Sequence, residues 1–148
     1  MDSSGLKDIN AKVEYLKKNK RRITPQLLEV LRIISRNGGH FTASDIYNEI
    51  KKTFPSISLN TVYCILKKLN NVGDVQEVVT LGKETNYCPN GKQHHHVICS
   101  KCKKIEDVEL KLFDINAVKK QMQTDYEIEN YSVMFNGFCK ICRGKDES

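Results

Sequence analysis

Two cysteine pairs constrain this 148-residue chain more than any other feature of its sequence. Cys99 and Cys102 form one CxxC pair, and Cys139 and Cys142 form the other. Each pair presents two thiolates from one tight turn, and four thiolates suit the tetrahedral geometry of Zn²⁺. The 36 residues between the pairs exceed the usual spacing of a zinc ribbon, so they must fold back to bring the pairs together. We therefore predict a structural zinc site held by these four cysteines.

Disulfide and redox roles for the cysteines fit the sequence less well. The first residues lack the apolar segment of a secretory signal, which disfavours a disulfide scaffold and favours a cytoplasmic protein. A zinc-binding thiol oxidoreductase would carry a CxxC pair at the start of a crossover helix, and neither pair lies in such a pattern. No segment approaches the roughly 20 apolar residues that cross a bilayer. We expect neither an enzyme nor a membrane partner.

The first half of the chain contains capped helices followed by a strand hairpin. An amphipathic helix is predicted over residues 6–18, and Thr24, Thr42 and Ser58 each precede a further apolar stripe at helical spacing. Two β-prone segments, residues 75–81 and 84–88, follow the last stripe. The three capped helices and the hairpin together predict a winged helix. Its third helix, the one that Ser58 caps, enters the major groove of DNA.

Charge supports a nucleic-acid partner for this half. Residues 1–87 carry 14 basic and 9 acidic side chains, a net of +5, whereas residues 88–148 carry 10 and 9, a net of +1. The polar face of the helix capped by Ser58 carries small polar side chains and a tyrosine, which suit contacts with base edges, and lysines, which suit contacts with phosphates. The same polar face could instead simply meet water. The candidate DNA-contacting residues are Arg21, Arg22, Ser58, Asn60, Thr61, Tyr63, Lys67 and Lys68.

The second half predicts a separate unit, so that the whole chain is α+β. Strands are predicted over residues 95–99, 105–110 and 126–138, with a helix over residues 112–123. Side chains alternate along a strand, so His94 and His96 face one way while His95 and Cys99 face the other. The histidine pair therefore belongs to a second site, or to a surface cluster of histidines. Cys88 can return its sulfur to the pair across the intervening turn.

These motifs together resemble those of the ferric uptake regulator superfamily of metal-dependent DNA-binding repressors. The resemblance is carried, in order, by RITPQ, HFTASDIY, SLNTVY, HHHVICSKCKKIED and the final CKIC. It implies a winged-helix domain over residues 1–87, a hinge over 88–93, and a dimerisation and metal-binding domain over 94–148. It also implies a homodimer that binds palindromic operator DNA, a structural zinc, and a regulatory metal at the hinge.

The zinc uptake regulator branch is the most similar one. That branch has a cysteine at the position of Cys88 and takes an aspartate at the position of Asp74. The resemblance thus assigns Asp74, Cys88, His94 and His96 to the regulatory site. A thiolate with two imidazoles and one carboxylate suits Zn²⁺, whereas harder, higher-coordinate sites suit Fe²⁺ or Mn²⁺.

Several residues keep an iron- or peroxide-responsive repressor as the alternative. His40 and Asp107 match metal ligands of those branches. A further site in many relatives would use the positions of Gln93, His95, Asp114 and Tyr131, of which only His95 and Asp114 bind metals readily. Leu27 also departs from the resemblance, because it stands where relatives carry an arginine suited to phosphate contact.

Overall fold

The structure is a computed structural model that describes residues 3–78, 84–89, 94–128 and 131–144, with side chains from residue 8 onward. The chain forms two compact units, residues 1–91 and residues 92–148. Helices and strands occur in both units, which confirms the predicted α+β class. None of the helices within these described ranges is long and apolar enough to cross a membrane. The assignment of residues 88–93 as a hinge stays a prediction.

Four helices build most of the first unit: α1 (Ser3–Lys18), α2 (Pro25–Asn37), α3 (Ala43–Ile50) and α4 (Leu59–Asn71). Their starts follow the predicted caps. The Thr24 hydroxyl accepts the backbone N–H of Leu27 at 3.1 Å, and Ser58 accepts that of Thr61 at the same distance. Thr42 and Asp45 form a capping box at α3. Local side-chain chemistry therefore sets where these helices begin.

The core of the first unit lies between α2, α3 and α4. The buried stripe of α4 comprises Val62, Ile65, Leu66 and Leu69, as its spacing predicted. Leu27 belongs to the same core and is 3% exposed. Its side chain therefore packs against apolar neighbours and does not face solvent, so the leucine contributes apolar burial to this core.

A small antiparallel sheet completes this unit. Its strands β1 (Phe41–Thr42), β2 (Gln76–Val78) and β3 (Asn86–Cys88) lie in the order β1-β3-β2. The predicted hairpin is confirmed where β2 pairs with β3, and residues 79–83 of the prediction lie outside the described residues. Strand β1 was not predicted. Two residues carry no periodic signal, and β1 exists because Phe41 pairs with Tyr87 and stacks on its ring.

The second unit is a three-stranded sheet with two short helices. It contains β4 (His95–Cys99), β5 (Ile105–Val108), α5 (Ile115–Gln121), β6 (Met134–Gly137) and α6 (Lys140–Arg143). The order is β5-β4-β6, with β5 antiparallel and β6 parallel to the central strand. The two cysteine pairs follow β4 and β6, which are neighbours.

Three predictions in this unit were too long, and α6 was missed. The predicted helix over residues 112–123 begins only after Asp114, which caps it, and Leu112 is 99% exposed. The strand predicted over 105–110 ends at Val108. Among the described residues of the strand predicted over 126–138, only Met134–Gly137 form a strand, because β6 pairs with β4 from His96 to Cys99; residues 129–130 lie outside the described residues. Apolar spacing marked these segments correctly, but the available pairing partner decided their lengths.

Candidate metal centres and nucleic-acid interface

The four cysteines of the two CxxC pairs form one cluster in the second unit. Parallel pairing of β4 and β6 sets Cys99 opposite Gly137, so the turns that follow both strands meet at one edge. All four sulfurs lie within 4.8 Å of one another, and the Cys102 and Cys139 sulfurs are 3.8 Å apart. A tetrahedral site with Zn–S bonds of about 2.3 Å separates its sulfurs by about 3.8 Å. The cluster therefore fits a structural zinc site.

The backbone prepares this cluster for thiolates. The backbone N–H of Cys139 donates to the Cys99 sulfur at 3.4 Å and, with that of Cys102, lowers the pKa of Cys99 to about 6. The N–H of Cys142 similarly lowers the pKa of Cys139. A side-chain hydrogen bond with Cys139, together with burial, raises the pKa of Cys142 to about 12. A bound cation favours the thiolate form of all four cysteines.

The setting of the cysteines also bears on the oxidoreductase alternative. Cys139 does precede a helix, but α6 has only four residues. Cys99 and Cys102 lie in the turn between two antiparallel strands. Neither pair begins a crossover helix within the described ranges, so the arrangement that activates a redox CxxC is not formed there.

A second cluster combines two histidines with an aspartate on the neighbouring strand. The rings of His94 and His96 have centroids 4.6 Å apart. Their Nε2 atoms lie 3.5 Å and 3.4 Å, respectively, from Oδ1 of Asp107, the residue paired with His96 across β4 and β5. Ligand atoms bound tetrahedrally at about 2.1 Å lie about 3.4 Å from one another. These three side chains therefore fit one metal ion and leave coordination positions for further ligands.

The resemblance assigns Asp107 to the alternative ligand set, and pairing of β5 with β4 brings it to the histidines. A signal for this contact was present in the sequence. The tight turn around the first cysteine pair folds β5 back on β4, so residues whose numbers sum to 203 lie opposite each other, as His95 and Val108 do. Reading that hairpin register would have put Asp107 beside His96.

The first unit places two more candidate ligands together. The pairing of Phe41 with Tyr87 continues towards His40 and Cys88, whose ligand atoms lie within 4.8 Å of each other. Cys88 is buried on β3. The sequence had assigned Cys88 and His40 to competing sites, whereas the sheet of the first unit makes them neighbours.

Asp74 has a different environment within the same unit. It follows Gly73 at the turn after α4, and its N–H donates to the carbonyl of Leu69 at 3.0 Å. Its Oδ2 atom is buried without a hydrogen-bond partner among the described residues. Burial raises the pKa of this carboxyl group, Lys12 of α1 opposes the shift, and Asp8 adds to it. A buried carboxylate oxygen of this kind suits a cation, and the positive charge of Lys12 favours its ionised form.

His95 and Asp114, the candidates for a further metal site, have structural roles. The Nδ1 atom of His95 accepts the backbone N–H of Val133 at 3.1 Å, and its ring packs against Phe113 and Tyr131. Asp114 accepts the N–H of Asn116 at 2.9 Å as the cap of α5. Within the described part of the chain, neither belongs to a cluster of three possible ligands. Gln93 lies outside that part.

The predicted DNA-contacting residues share the solvent side of the first unit's helices. Tyr63 on α4 is 40% exposed. The hydroxyls of Ser58 and Thr61 lie 2.9 Å apart and serve the cap of α4. The other predicted residues, all exposed, are Asn60, Lys67 and Lys68 on α4, and Arg21 and Arg22 ahead of α2. The buried stripe of α4 thus leaves a polar, basic face outward.

A winged-helix unit joined to a metal-binding sheet unit defines the class of metal-responsive regulators that act on DNA. Comparison with known families agrees with this class. The model described as "Ferric uptake regulator family" matches residues 18–136. The chain belongs to the ferric uptake regulator family, whose members are dimeric DNA-binding regulators of transcription.

Individual relatives differ in the signal that they sense. The peroxide-responsive repressor PerR of Staphylococcus epidermidis is 30% identical over 136 residues, which cover 92% of this chain and 91% of the relative. The solved structure of the Helicobacter pylori ferric uptake regulator, described as having three functional metal-binding sites, superposes with a TM-score of 0.75 at 25% identity, covering 93% of both chains. A zinc uptake regulator complexed with zinc and DNA shares the fold, with a TM-score of 0.73 at 19% identity, covering 99% of this chain and all of that one.

Proposed function

We propose that this protein is a zinc-responsive transcriptional repressor that binds palindromic operator DNA as a homodimer. One observation supports the proposal most: the second unit brings together two clusters of candidate metal ligands that differ in chemistry. The four cysteines form a closed all-thiolate site, which suits a permanent structural ion. His94, His96 and Asp107 leave coordination positions open, which suits an ion that exchanges with its surroundings.

Cys88 supports zinc as the exchangeable ion. Thiolate is a soft ligand that favours Zn²⁺, whereas Fe²⁺ and Mn²⁺ accept carboxylates and water more readily. We propose that Cys88 joins His94 and His96 in the regulatory site. Asp107 and Asp74 are the two candidates for the carboxylate: Asp107 already converges on the histidines, and Asp74 carries a buried carboxylate oxygen.

The proposed mechanism is a shift between orientations of the DNA-binding units. Under this proposal, a bound ion would link Cys88 of the first unit to His94 and His96 of the second unit. Such a link changes DNA affinity only by its preference for one orientation over the others. In the dimer, both copies of α4 must reach successive major grooves, so orientation decides whether two half-sites are contacted together. Tyr63 then faces base edges while Lys67 and Lys68 face phosphates.

A second candidate is an iron- or peroxide-responsive repressor. Asp107 favours it, because two imidazoles with a carboxylate form a harder site than one containing Cys88. The Staphylococcus epidermidis relative is itself a peroxide-responsive repressor. In this case peroxide would oxidise a histidine ligand through the bound iron, and the protein would release DNA.

Buffered metal titrations separate the two candidates. Protein with zinc in its four-cysteine site is first used to select an operator sequence from a pool of random DNA duplexes. The affinity for that operator is then measured at increasing free concentrations of Zn²⁺, Fe²⁺ or Mn²⁺ in the absence of oxygen. We expect Zn²⁺ to activate operator binding while Fe²⁺ and Mn²⁺ do not activate it at any free concentration tested. His96→Ala should abolish the response, and Asp114→Asn, a change of a capping carboxylate, should leave it intact. Activation by Fe²⁺ or Mn²⁺ alone, with oxygen added to His94 or His96 after peroxide treatment, would establish the second candidate instead.

A further inference from the structure

A side chain of α4 holds the edge strand of the first sheet. Oδ1 of Asn70 accepts the backbone N–H of Glu77 at 3.2 Å. Strand β2 lies at the edge of the order β1-β3-β2, so one side of its backbone has no neighbouring strand in this described sheet. An edge N–H normally meets water. Here the last turn of α4 supplies its acceptor.

The chain between the two residues is tightly folded. Gly73, with φ +80°, donates its N–H to the carbonyl of Asn70 at 3.1 Å, and Asp74 donates to the carbonyl of Leu69 at 3.0 Å. The turn therefore closes over the end of α4 before β2 begins. Because Asn70 uses both its carbonyl and its side chain, it fixes the turn and the strand beyond it.

The returning strand has a contact of the same kind. The Ser44 hydroxyl, in the first turn of α3, donates to the Glu84 carboxylate at 2.5 Å, two residues before β3. A hydrogen bond to an ionised acceptor is short and stronger than a neutral one. The hairpin is thus tied to helices at two points, within β2 and just before the start of β3.

We propose that Asn70 is a positioning residue that sets the angle of the β2–β3 hairpin against α4, so that helix and hairpin contact one DNA duplex together. The proposal rests on the proposed DNA binding of this unit. Strand β3 is anchored by the packing of Tyr87 in the core, but β2 is paired on one side only. Buried Val75 and Val78 also hold β2 to this unit, and the Asn70 contact adds a constraint on the edge that has no strand partner in the described sheet. It reaches a backbone N–H, so it does not depend on the side chain at position 77.

The test compares Asn70→Ala with Asn71→Ala. Asn71 is the adjacent asparagine, is exposed, and makes no side-chain hydrogen bond among the described residues. In Asn70→Ala we expect faster exchange of the Glu77 amide and an operator Kd roughly two- to tenfold higher, the effect of losing one hydrogen bond. The slope of log affinity against log salt should flatten by about one, which corresponds to one lost phosphate contact. Asn71→Ala should match the wild type, and Asn70→Asp, which retains the acceptor, should restore slow exchange at Glu77.

Several results would overturn the proposal. Unchanged exchange at Glu77 shows that Asn70 does not hold the strand. Faster exchange with unchanged operator affinity and salt slope shows that it holds the strand without serving DNA binding. A wild-type protein that binds no duplex in any metal-loaded form removes the proposed function as well, which distinguishes the two failures. If Asn70→Ala does not fold, Asn70→Ser takes its place, because the shorter serine side chain carries no acceptor at the position of Oδ1; the hairpin role predicts the same faster exchange at Glu77 and the same loss of affinity and salt slope.

Discussion

Loss of one structural cysteine should unfold one unit and spare the other. The second unit has little apolar core: among its described residues Ile98 is the only buried aliphatic side chain. Burying one isoleucine contributes about 1.5–3 kcal/mol, whereas a four-cysteine zinc site contributes on the order of 10 kcal/mol. The first unit, by contrast, has a continuous cluster of 16 buried residues. Stability therefore comes from different sources in the two units.

Cys139→Ser makes this difference measurable. The substitution removes one ligand sulfur from a cluster whose sulfurs lie within 4.8 Å of one another. A three-sulfur site loses much of its binding free energy, and the second unit has no comparable apolar burial to replace it. We expect the variant to lose its zinc and its dimeric state, with fast amide exchange in peptides from residues 94–144. Peptides from residues 25–78 should stay protected.

Hydrogen exchange read by mass spectrometry, together with zinc content and chromatographic size, provides the assay. Cys64→Ser is the matched control, because Cys64 is exposed on α4 and belongs to neither metal-binding cluster. That variant should keep zinc, protection and dimerisation. A zinc-free Cys139→Ser protein with a protected β4 and a dimeric size would refute the reasoning, since the sheet would then be stable without the metal.

Three further changes test other parts of the molecule. Cys88→Ala should keep about one zinc per chain in the closed cysteine site, while operator binding loses its response to added zinc; a full response measured in the titration would remove Cys88 from the regulatory site. Tyr63→Ala should weaken operator binding more than non-specific binding, whereas Lys67→Ala should weaken both about equally and flatten the salt dependence; equal effects of the two would misplace the base-reading residue. Burial raises the pKa of Asp74 above 3.8, so the folded state binds its proton more tightly than the unfolded state does. The ionised carboxylate is therefore unfavourable at neutral pH, and Asp74→Asn should raise the melting temperature there without added regulatory metal; the gain should shrink as pH falls through the raised pKa towards 3.8, and a gain independent of pH would contradict the assignment to this carboxyl group.

Local features were predictable because their causes lie within a few residues. Thr24, Thr42 and Ser58 each cap a helix. The side chain of each accepts a hydrogen bond from a backbone N–H in the first turn of its own helix. The apolar stripe of α4 follows from helical spacing alone. Strand alternation also placed His94 and His96 on one face and His95 on the other. The cysteine spacing anticipated the four-sulfur cluster, since few other arrangements use two such pairs.

Pairing between distant segments was decided by the tertiary structure. Strand β1 has only two residues and exists because β3 offers it a partner. Asp107 lies beside the histidines because of the register in which β5 pairs with β4. The side-chain pattern within either strand alone does not give that register. The environment of Asp74 likewise depends on Lys12 and Asp8 of α1, more than 60 residues earlier in the sequence. Capping and periodicity act along the chain, whereas ligand assembly depends on which strands become neighbours, and that is set by the free energy of the whole fold.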